Sequence, residues 1–92
     1  MTEKEFYDIS TELGLTPKQD HWGLYAYAYY GPGEDDWVAH YDFNDGTGSV
    51  YTGEISNYTK SAIVFKNKLT NRLKQMKLEQ LQRKLYKIDE DF

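Results

Sequence analysis

The sequence predicts an α+β domain in the order α-β-β-β-α: a three-stranded antiparallel sheet with an N-terminal helix and a long C-terminal helix on one face. Three observations predict it. The chain opens with an amphipathic segment, continues with alternating aromatic stretches separated by turn residues, and closes with an uninterrupted helical segment. Because the chain has 92 residues, we expect a single domain spanning 1–92.

The first helix is predicted at residues 3–13. Thr2, with Glu5 three residues later, fits a capping box, in which each residue satisfies a free backbone N–H of the first turn. The apolar residues that follow recur at helical spacing on one face. Gly14 is a typical helix end, and Pro17 opposes any continuation of the helix.

Three strands are predicted at residues 22–30, 37–43 and 49–55, with a turn of Gly, Pro and acidic residues after the first and Asn44-Asp45-Gly46 after the second. In the first strand the two faces alternate. One face carries Leu24, Ala26 and Ala28, and the other carries Tyr25, Tyr27 and Tyr29. Two arrangements stay open. Either the small face lies under the helices, or the tyrosine row is the core and Trp37, Tyr41 and Phe43 are exposed instead.

The last helix is predicted at residues 60–88, since no Gly or Pro interrupts this segment. At helical spacing its apolar residues form two stripes that point in different directions. Either the helix bends near residue 77, or the second stripe packs against another partner, such as a second copy of the chain. The residues predicted for self-association, through a homodimer of the C-terminal helix, are Leu78, Leu81, Leu85 and Ile88.

The charged residues are unevenly distributed along the chain. Residues 1–59 hold two cations against eleven carboxylates, a net charge of −9, whereas residues 60–92 carry a net charge of +5. Separate regions of opposite sign favour two different binding surfaces or the association of one region with the other, and the alternative is ordinary solvated surface. The sequence therefore predicts two surfaces of different character.

The composition and motifs argue against enzymatic catalysis. His40, with Asp42 on the same strand, has the pattern of a general base oriented by a carboxylate, but there is no cysteine and no serine in an elbow motif to act as a nucleophile, so a half-exposed strand histidine is the favoured interpretation. No metal-binding or phosphate-binding motif is complete. We therefore expect no enzyme activity, no catalytic residues, no metal and no cofactor. No segment reads as a membrane span or a signal peptide, so no membrane contact and a cytoplasmic location are expected.

A protein partner is predicted to bind an acidic and aromatic surface. An acidic turn beside a tryptophan could occupy a basic groove, and a row of exposed tyrosines gives large, rigid contact area with a hydroxyl group. The residues predicted to bind this partner are Glu34, Asp35, Asp36, Trp37, Tyr25, Tyr27, Tyr29, Asp42 and Asp45.

A nucleic acid is the alternative partner, bound by the cations of the last helix, because affinity for duplexes comes largely from neutralised phosphates. The residues predicted for that role are Lys60, Lys66, Lys68, Arg72 and Lys74. The competing interpretation is that this helix face is simply solvated.

Over about residues 2–76 the predicted order resembles the double-stranded RNA-binding domain. Gly31-Pro32 lies between the first two strands, where that family has a Gly-Pro loop, and Lys60 and Ala62 match its last helix start. The family's loop histidine is replaced here by acidic residues. The resemblance implies the fold and, as the alternative function, RNA or DNA binding.

In size, acidity and aromatic content the chain also resembles the small inhibitors encoded by phages and mobile elements, such as anti-CRISPR proteins. That resemblance implies a non-enzymatic inhibitor of a basic, nucleic-acid-handling protein, which would act in the host cytoplasm if the chain is phage-encoded. This protein-binding function is the leading prediction.

Overall fold

The computed structural model describes residues 1–52 and 58–90, with side chains described through Leu81. The first helix, α1, spans Glu3–Glu12. Its start is fixed by the capping box, because Glu5 N donates to Thr2 Oγ1 at 3.2 Å and Thr2 N donates to the Glu5 carboxylate at 3.0 Å. The chain turns at Gly14, whose φ of 81° is readily adopted only by glycine.

The sheet contains four strands: β1 (Thr16–Gln19), β2 (Tyr25–Tyr29), β3 (Trp37–Asp42) and β4 (Thr47–Val50). They lie in the order β1-β2-β3-β4, and every neighbouring pair is antiparallel. The α+β class is thus confirmed, but the predicted count of three strands is wrong. The additional strand, β1, contains Pro17, which an edge strand tolerates because a missing N–H can face away from the neighbouring strand.

The predicted strands are longer than those found. The stretch 22–30 shortens to β2, since Trp22 and Leu24 lie exposed in the preceding turn. The stretch 37–43 corresponds to β3. The stretch 49–55 overlaps β4, which begins two residues earlier, and residues 53–55 of that prediction lie outside the described residues.

Both helices pack on one face of the sheet. Ala26 and Ala28 of β2 are fully buried there, and their small side chains allow helices to approach closely. Phe6 of α1 stacks on Tyr41 of β3 with ring centroids 5.6 Å apart, and it lies 5.6 Å from Phe65 of the second helix. The core therefore lies between the helices and the alanine face.

The second helix, α2, is continuous over Ala62–Glu90. Ser61 caps it, since Val64 N donates to Ser61 Oγ at 3.3 Å. Just before the helix, Thr59 Oγ1 accepts a hydrogen bond from Ser61 N at 3.1 Å. With about 1.5 Å per residue, 29 residues extend about 43 Å, so α2 projects from a molecule measuring 52 × 27 × 23 Å.

Within the described part of the chain, neither helix has the length and apolar character that a membrane crossing requires.

Candidate functional site

The sheet face opposite the helices carries a continuous layer of aromatic rings. Strand β2 supplies three of them, because its burial alternates strictly between the fully buried alanines and the half-buried tyrosines. We call this group the aromatic layer. It consists of Tyr25, Tyr27, Tyr29, Trp37, Tyr51 and Tyr58, with His40 among them.

Trp37 reaches this layer through a β-bulge. Simple alternation along β3 places Trp37 on the same face as Ala39 and Tyr41. The register shifts by one residue opposite Ala28 and Tyr29, so that Trp37 pairs with Tyr29. The Trp37 ring consequently lies 5.1 Å from the Tyr27 ring.

Two tyrosines complete the layer from beyond the sheet strands. Tyr51 N donates to Val38 O at 2.8 Å, which places the Tyr51 ring 5.0 Å from that of Trp37. Tyr58 precedes a short bridge in which Thr59 and Gly48 exchange two hydrogen bonds of 2.9 Å. That bridge brings the Tyr58 ring to 5.6 Å from the His40 ring.

Tyr51 and Tyr58 are not among the site residues predicted from the sequence. The sequence does contain a signal for Tyr51. Side chains two residues apart on a strand point to the same face, so Tyr51 shares the face of Ser49, which is the face of the aromatic layer. No local signal marks Tyr58, since its position depends on the long-range pairing of Thr59 with Gly48.

His40 lies at the centre of the layer and is only 4% exposed. Its ring contacts those of Tyr25, Tyr27, Trp37 and Tyr58 at centroid distances between 5.6 and 6.0 Å. Its Nδ1 atom is buried without a hydrogen-bond partner among the described residues. A buried polar atom without a hydrogen bond lowers the stability of the folded state, so its presence calls for an explanation.

Burial lowers the pKa of His40 from the ordinary value of 6.5, and the nearby Asp42 carboxylate acts in the opposite direction. The imidazole is therefore neutral at pH 7. Ser49 lies directly across the sheet from His40, and its Oγ is also buried without a partner among the described residues. No hydrogen bond joins the two side chains in the described structure, although a base that activates a nucleophile would need one.

A cleft of about 170 Å³ opens in the middle of the layer. Tyr25, Tyr27, Trp37, His40 and Tyr58 line it. At one edge of the layer, Lys18 Nζ lies 5.5 Å from the centroid of the Tyr29 ring, in cation–π geometry. The layer thus combines the polar side chain of His40 in its cleft with aromatic rings, one of which already contacts the ammonium group of Lys18.

The predicted acidic residues divide into two groups. Glu34, Asp35 and Asp45 are exposed, and among the described residues no backbone N–H donates a hydrogen bond to their carboxylates. Asp36 accepts from Gly33 N at 2.9 Å, and Asp42 accepts from Asn44 N at 2.8 Å. These last two carboxylates shape turns as well as carrying charge.

Asp20 is a further acidic residue near the layer, outside the set predicted from the sequence. Its two carboxylate oxygens accept from Leu24 N at 3.0 Å and Tyr25 N at 3.2 Å, which fixes the turn into β2. Burial raises the pKa of Tyr27, and the Asp20 carboxylate raises that pKa further. Asp20 therefore adds negative potential near the layer.

The cations predicted for nucleic acid lie on or beside α2 and differ in exposure. Lys66 forms a 2.9 Å ion pair with Glu12 of α1. Arg72 is half-buried, with a guanidinium nitrogen 4.0 Å from the Glu79 carboxylate. Lys60, Lys68 and Lys74 are exposed. The structure therefore does not unite all five into one free basic surface.

The residues predicted for self-association are described only in part. Leu78 is 59% exposed and Leu81 is 56% exposed, on the projecting part of α2. The side chains of Leu85 and Ile88 lie outside the described residues. Self-association through this helix stays a prediction.

No group of three or more potential metal ligands occurs among the described residues. No family model matches the chain, and neither a curated protein nor a solved structure matches it. The resemblance to the double-stranded RNA-binding domain therefore stays a prediction, as does the resemblance to anti-CRISPR proteins.

Proposed function

We propose that this protein is a non-enzymatic binding module whose aromatic layer docks a basic protein partner. The observation that carries the proposal is the set of rings on the sheet face opposite the helices, most of them half-buried and two of them exposed. Tyrosine and tryptophan dominate binding energies at protein interfaces, because each contributes a large rigid surface with a polar group.

The charge around the layer indicates the character of the partner. The exposed carboxylates of Glu34 and Asp35 lie in the turn directly before Trp37, and Asp42 pairs across the sheet with Tyr25. Residues 1–59 carry a net charge of −9. Complementary charge would accelerate association with a basic surface and disfavour acidic partners.

A basic protein surface commonly binds nucleic-acid phosphates. An acidic module that occupies such a surface would exclude the nucleic acid, and this is the inhibitory action that we propose. The size and acidity that the chain shares with phage-encoded inhibitors such as anti-CRISPR proteins support the same function.

Direct nucleic-acid binding is less well supported. Lys66 and Arg72 are near carboxylates, which reduces the charge available for phosphates. The aromatic layer lies on the sheet face opposite α2. Stacking of bases and neutralisation of their phosphates would thus need two separate surfaces, although single-strand binding proteins combine both in one groove.

The test is affinity capture from the native host, followed by quantitative binding. The wild-type chain, Tyr58→Leu and Tyr30→Leu serve as baits, and the recovered protein is purified for calorimetry. Both tyrosines are 50% exposed, but only Tyr58 belongs to the layer, so Tyr30→Leu is a matched control. We expect Tyr58→Leu to weaken binding by about tenfold, or about 1.4 kcal/mol, as truncation of a contributing interface residue does, and Tyr30→Leu to leave it unchanged.

Capture alone does not support the proposal. Support requires three results: the lower affinity of Tyr58→Leu for the partner, a lower affinity of the wild-type chain at higher salt, and displacement of nucleic acid from the partner by the wild-type chain. Equal affinities for all three baits, or no captured protein, would contradict docking on the aromatic layer.

A further inference from the structure

The cleft in the aromatic layer has the size of a single side chain. Its volume of about 170 Å³ is below the roughly 300–1,000 Å³ typical of small-molecule sites. Four of its five lining residues are tyrosine or tryptophan. A group that enters this cleft would contact several ring faces or edges at once.

The rings and their surroundings favour a cation. The face of an aromatic ring attracts positive charge, and tryptophan and tyrosine attract it more strongly than phenylalanine. Lys18 above the Tyr29 ring shows that the layer accepts a cation at its edge. Asp42, which pairs with Tyr25, adds negative charge beside the cleft, as does Asp20 through its hydrogen bond to Tyr25 N.

His40, in the cleft, favours a guanidinium group over an ammonium group. His40 lines the cleft together with the rings, and a neutral imidazole has one nitrogen that accepts a hydrogen bond. A guanidinium group offers five N–H donors in a plane that stacks on aromatic rings. Lysine's ammonium is compact and strongly hydrated, so it loses more on entering an aromatic site.

We propose that the cleft receives an arginine side chain of the protein partner, which stacks between the tyrosine and tryptophan rings and donates to His40. This inference rests on the proposed function, because it names the group by which a basic partner is anchored. It gives the accepting nitrogen of the His40 imidazole a role in recognition.

The test uses a single arginine as the probe. The ¹⁵N-labelled full chain is titrated with N-acetyl-arginine methylamide, with the uncharged, nearly isosteric citrulline compound as the matched control. We expect shifts of the Trp37 indole N–H and of the Tyr25, Tyr27 and His40 amides, saturating at a Kd of about 1 mM, since one side chain supplies few contacts. The citrulline compound should bind at least about tenfold more weakly.

Variants locate the binding. Tyr58→Leu should weaken arginine binding about 3- to 10-fold, the range expected for one cation–π contact, and Tyr30→Leu should leave it unchanged. His40→Phe keeps an aromatic ring at the floor but removes the acceptor, and it should also weaken binding. The ¹⁵N spectrum of each variant verifies that it is folded.

Three results would overturn the proposal: equal binding of the arginine and citrulline compounds, shifts outside the cleft, or no saturable shifts up to about 10 mM. Tighter binding of N-acetyl-trimethyllysine methylamide would reject arginine in favour of a quaternary ammonium group, and binding of adenosine monophosphate at the same residues would reject a protein side chain. If the captured partner still depends on Tyr58 after any of these results, the arginine inference has failed and the proposed function has not.

Discussion

Replacing His40 by phenylalanine should stabilise the protein. The imidazole is 4% exposed, and its Nδ1 has no partner in the described structure, so the folded state bears the cost of an unsatisfied polar atom, about 1–3 kcal/mol. Phenylalanine is slightly larger, and overpacking of a tight site costs about 1 kcal/mol at the low end. The net expectation is a gain of about 1 kcal/mol at pH 7.5. In a domain of this size, that gain raises Tm by about 4–8 °C.

The difference should grow as the pH falls. Burial lowers the pKa of His40 below 6.5 in the folded state, whereas the unfolded chain keeps the ordinary value. Between those two pKa values the unfolded state binds more protons, so stability increases with pH. The wild-type protein therefore has the full contribution of neutral His40 above about pH 6.5 and loses it as the pH falls through the lowered pKa. His40→Phe lacks this dependence.

Urea unfolding followed by circular dichroism at pH 5, 6, 7 and 8 measures both effects. This pH range lies above the ordinary pKa of the carboxylates, so His40 dominates the difference in pH dependence between His40→Phe and the wild-type protein. His21 is exposed, and His21→Phe is the matched control, which should unfold like the wild-type protein at every pH. The reasoning is refuted if His40→Phe is less stable than wild type at pH 7.5, or if the difference between them is the same at all four pH values.

Three further changes test other parts of the structure. Ala28→Leu should destabilise the fold by about 1–3 kcal/mol in urea, because Ala28 is fully buried on the face that packs against the helices; an unchanged midpoint would show that this face is loosely packed. Gel-shift assays with duplex and single-stranded probes at low salt should show no retardation at micromolar protein, whereas retardation that Lys68→Glu and Lys74→Glu abolish would support the alternative function. Light scattering should give a mass that rises with concentration and returns to 10.8 kDa in the Leu78→Lys, Leu81→Lys double variant, and a wild-type mass independent of concentration would reject self-association.

The elements with strong local signals were predictable from the sequence. Glu5 follows Thr2 at the capping-box spacing, and the structure contains both hydrogen bonds of that motif. The alternation of alanine and tyrosine in β2 separates the two sheet faces, and the choice left open is resolved by the burial of Ala26 and Ala28. In these cases the period of the side chains determines which residues are buried.

Strand β1 could not be predicted in the same way. Its residues, Thr16-Pro17-Lys18-Gln19, are mostly exposed and show no alternation of apolar and polar residues. The strand exists because four of its positions pair with β2, from Thr16 opposite Tyr29 to Gln19 opposite Ala26. Long-range pairing of this kind leaves no mark in a short polar segment.

The candidate site was only partly predictable for a related reason. A single bulge moves Trp37 to the face opposite the one that alternation predicts. The sequence also identifies an acidic residue without showing whether its carboxylate binds the backbone, as those of Asp36 and Asp42 do. Local patterns thus predicted Tyr25, Tyr27 and Tyr29 as site residues, but not Tyr51 and Tyr58, which complete the layer.

His40 is the residue at which stability and recognition make opposite demands. The neighbouring rings contact one another, so an apolar side chain at position 40 would complete the layer and remove the buried, unsatisfied imidazole nitrogen. If His40 were only a packing residue, His40→Phe would stabilise the protein and leave arginine binding intact. If His40 accepts a hydrogen bond from an arginine of the partner, the same substitution must raise the stability of the fold and lower the affinity for arginine. Measuring both quantities on one variant therefore separates a structural histidine from a recognition residue.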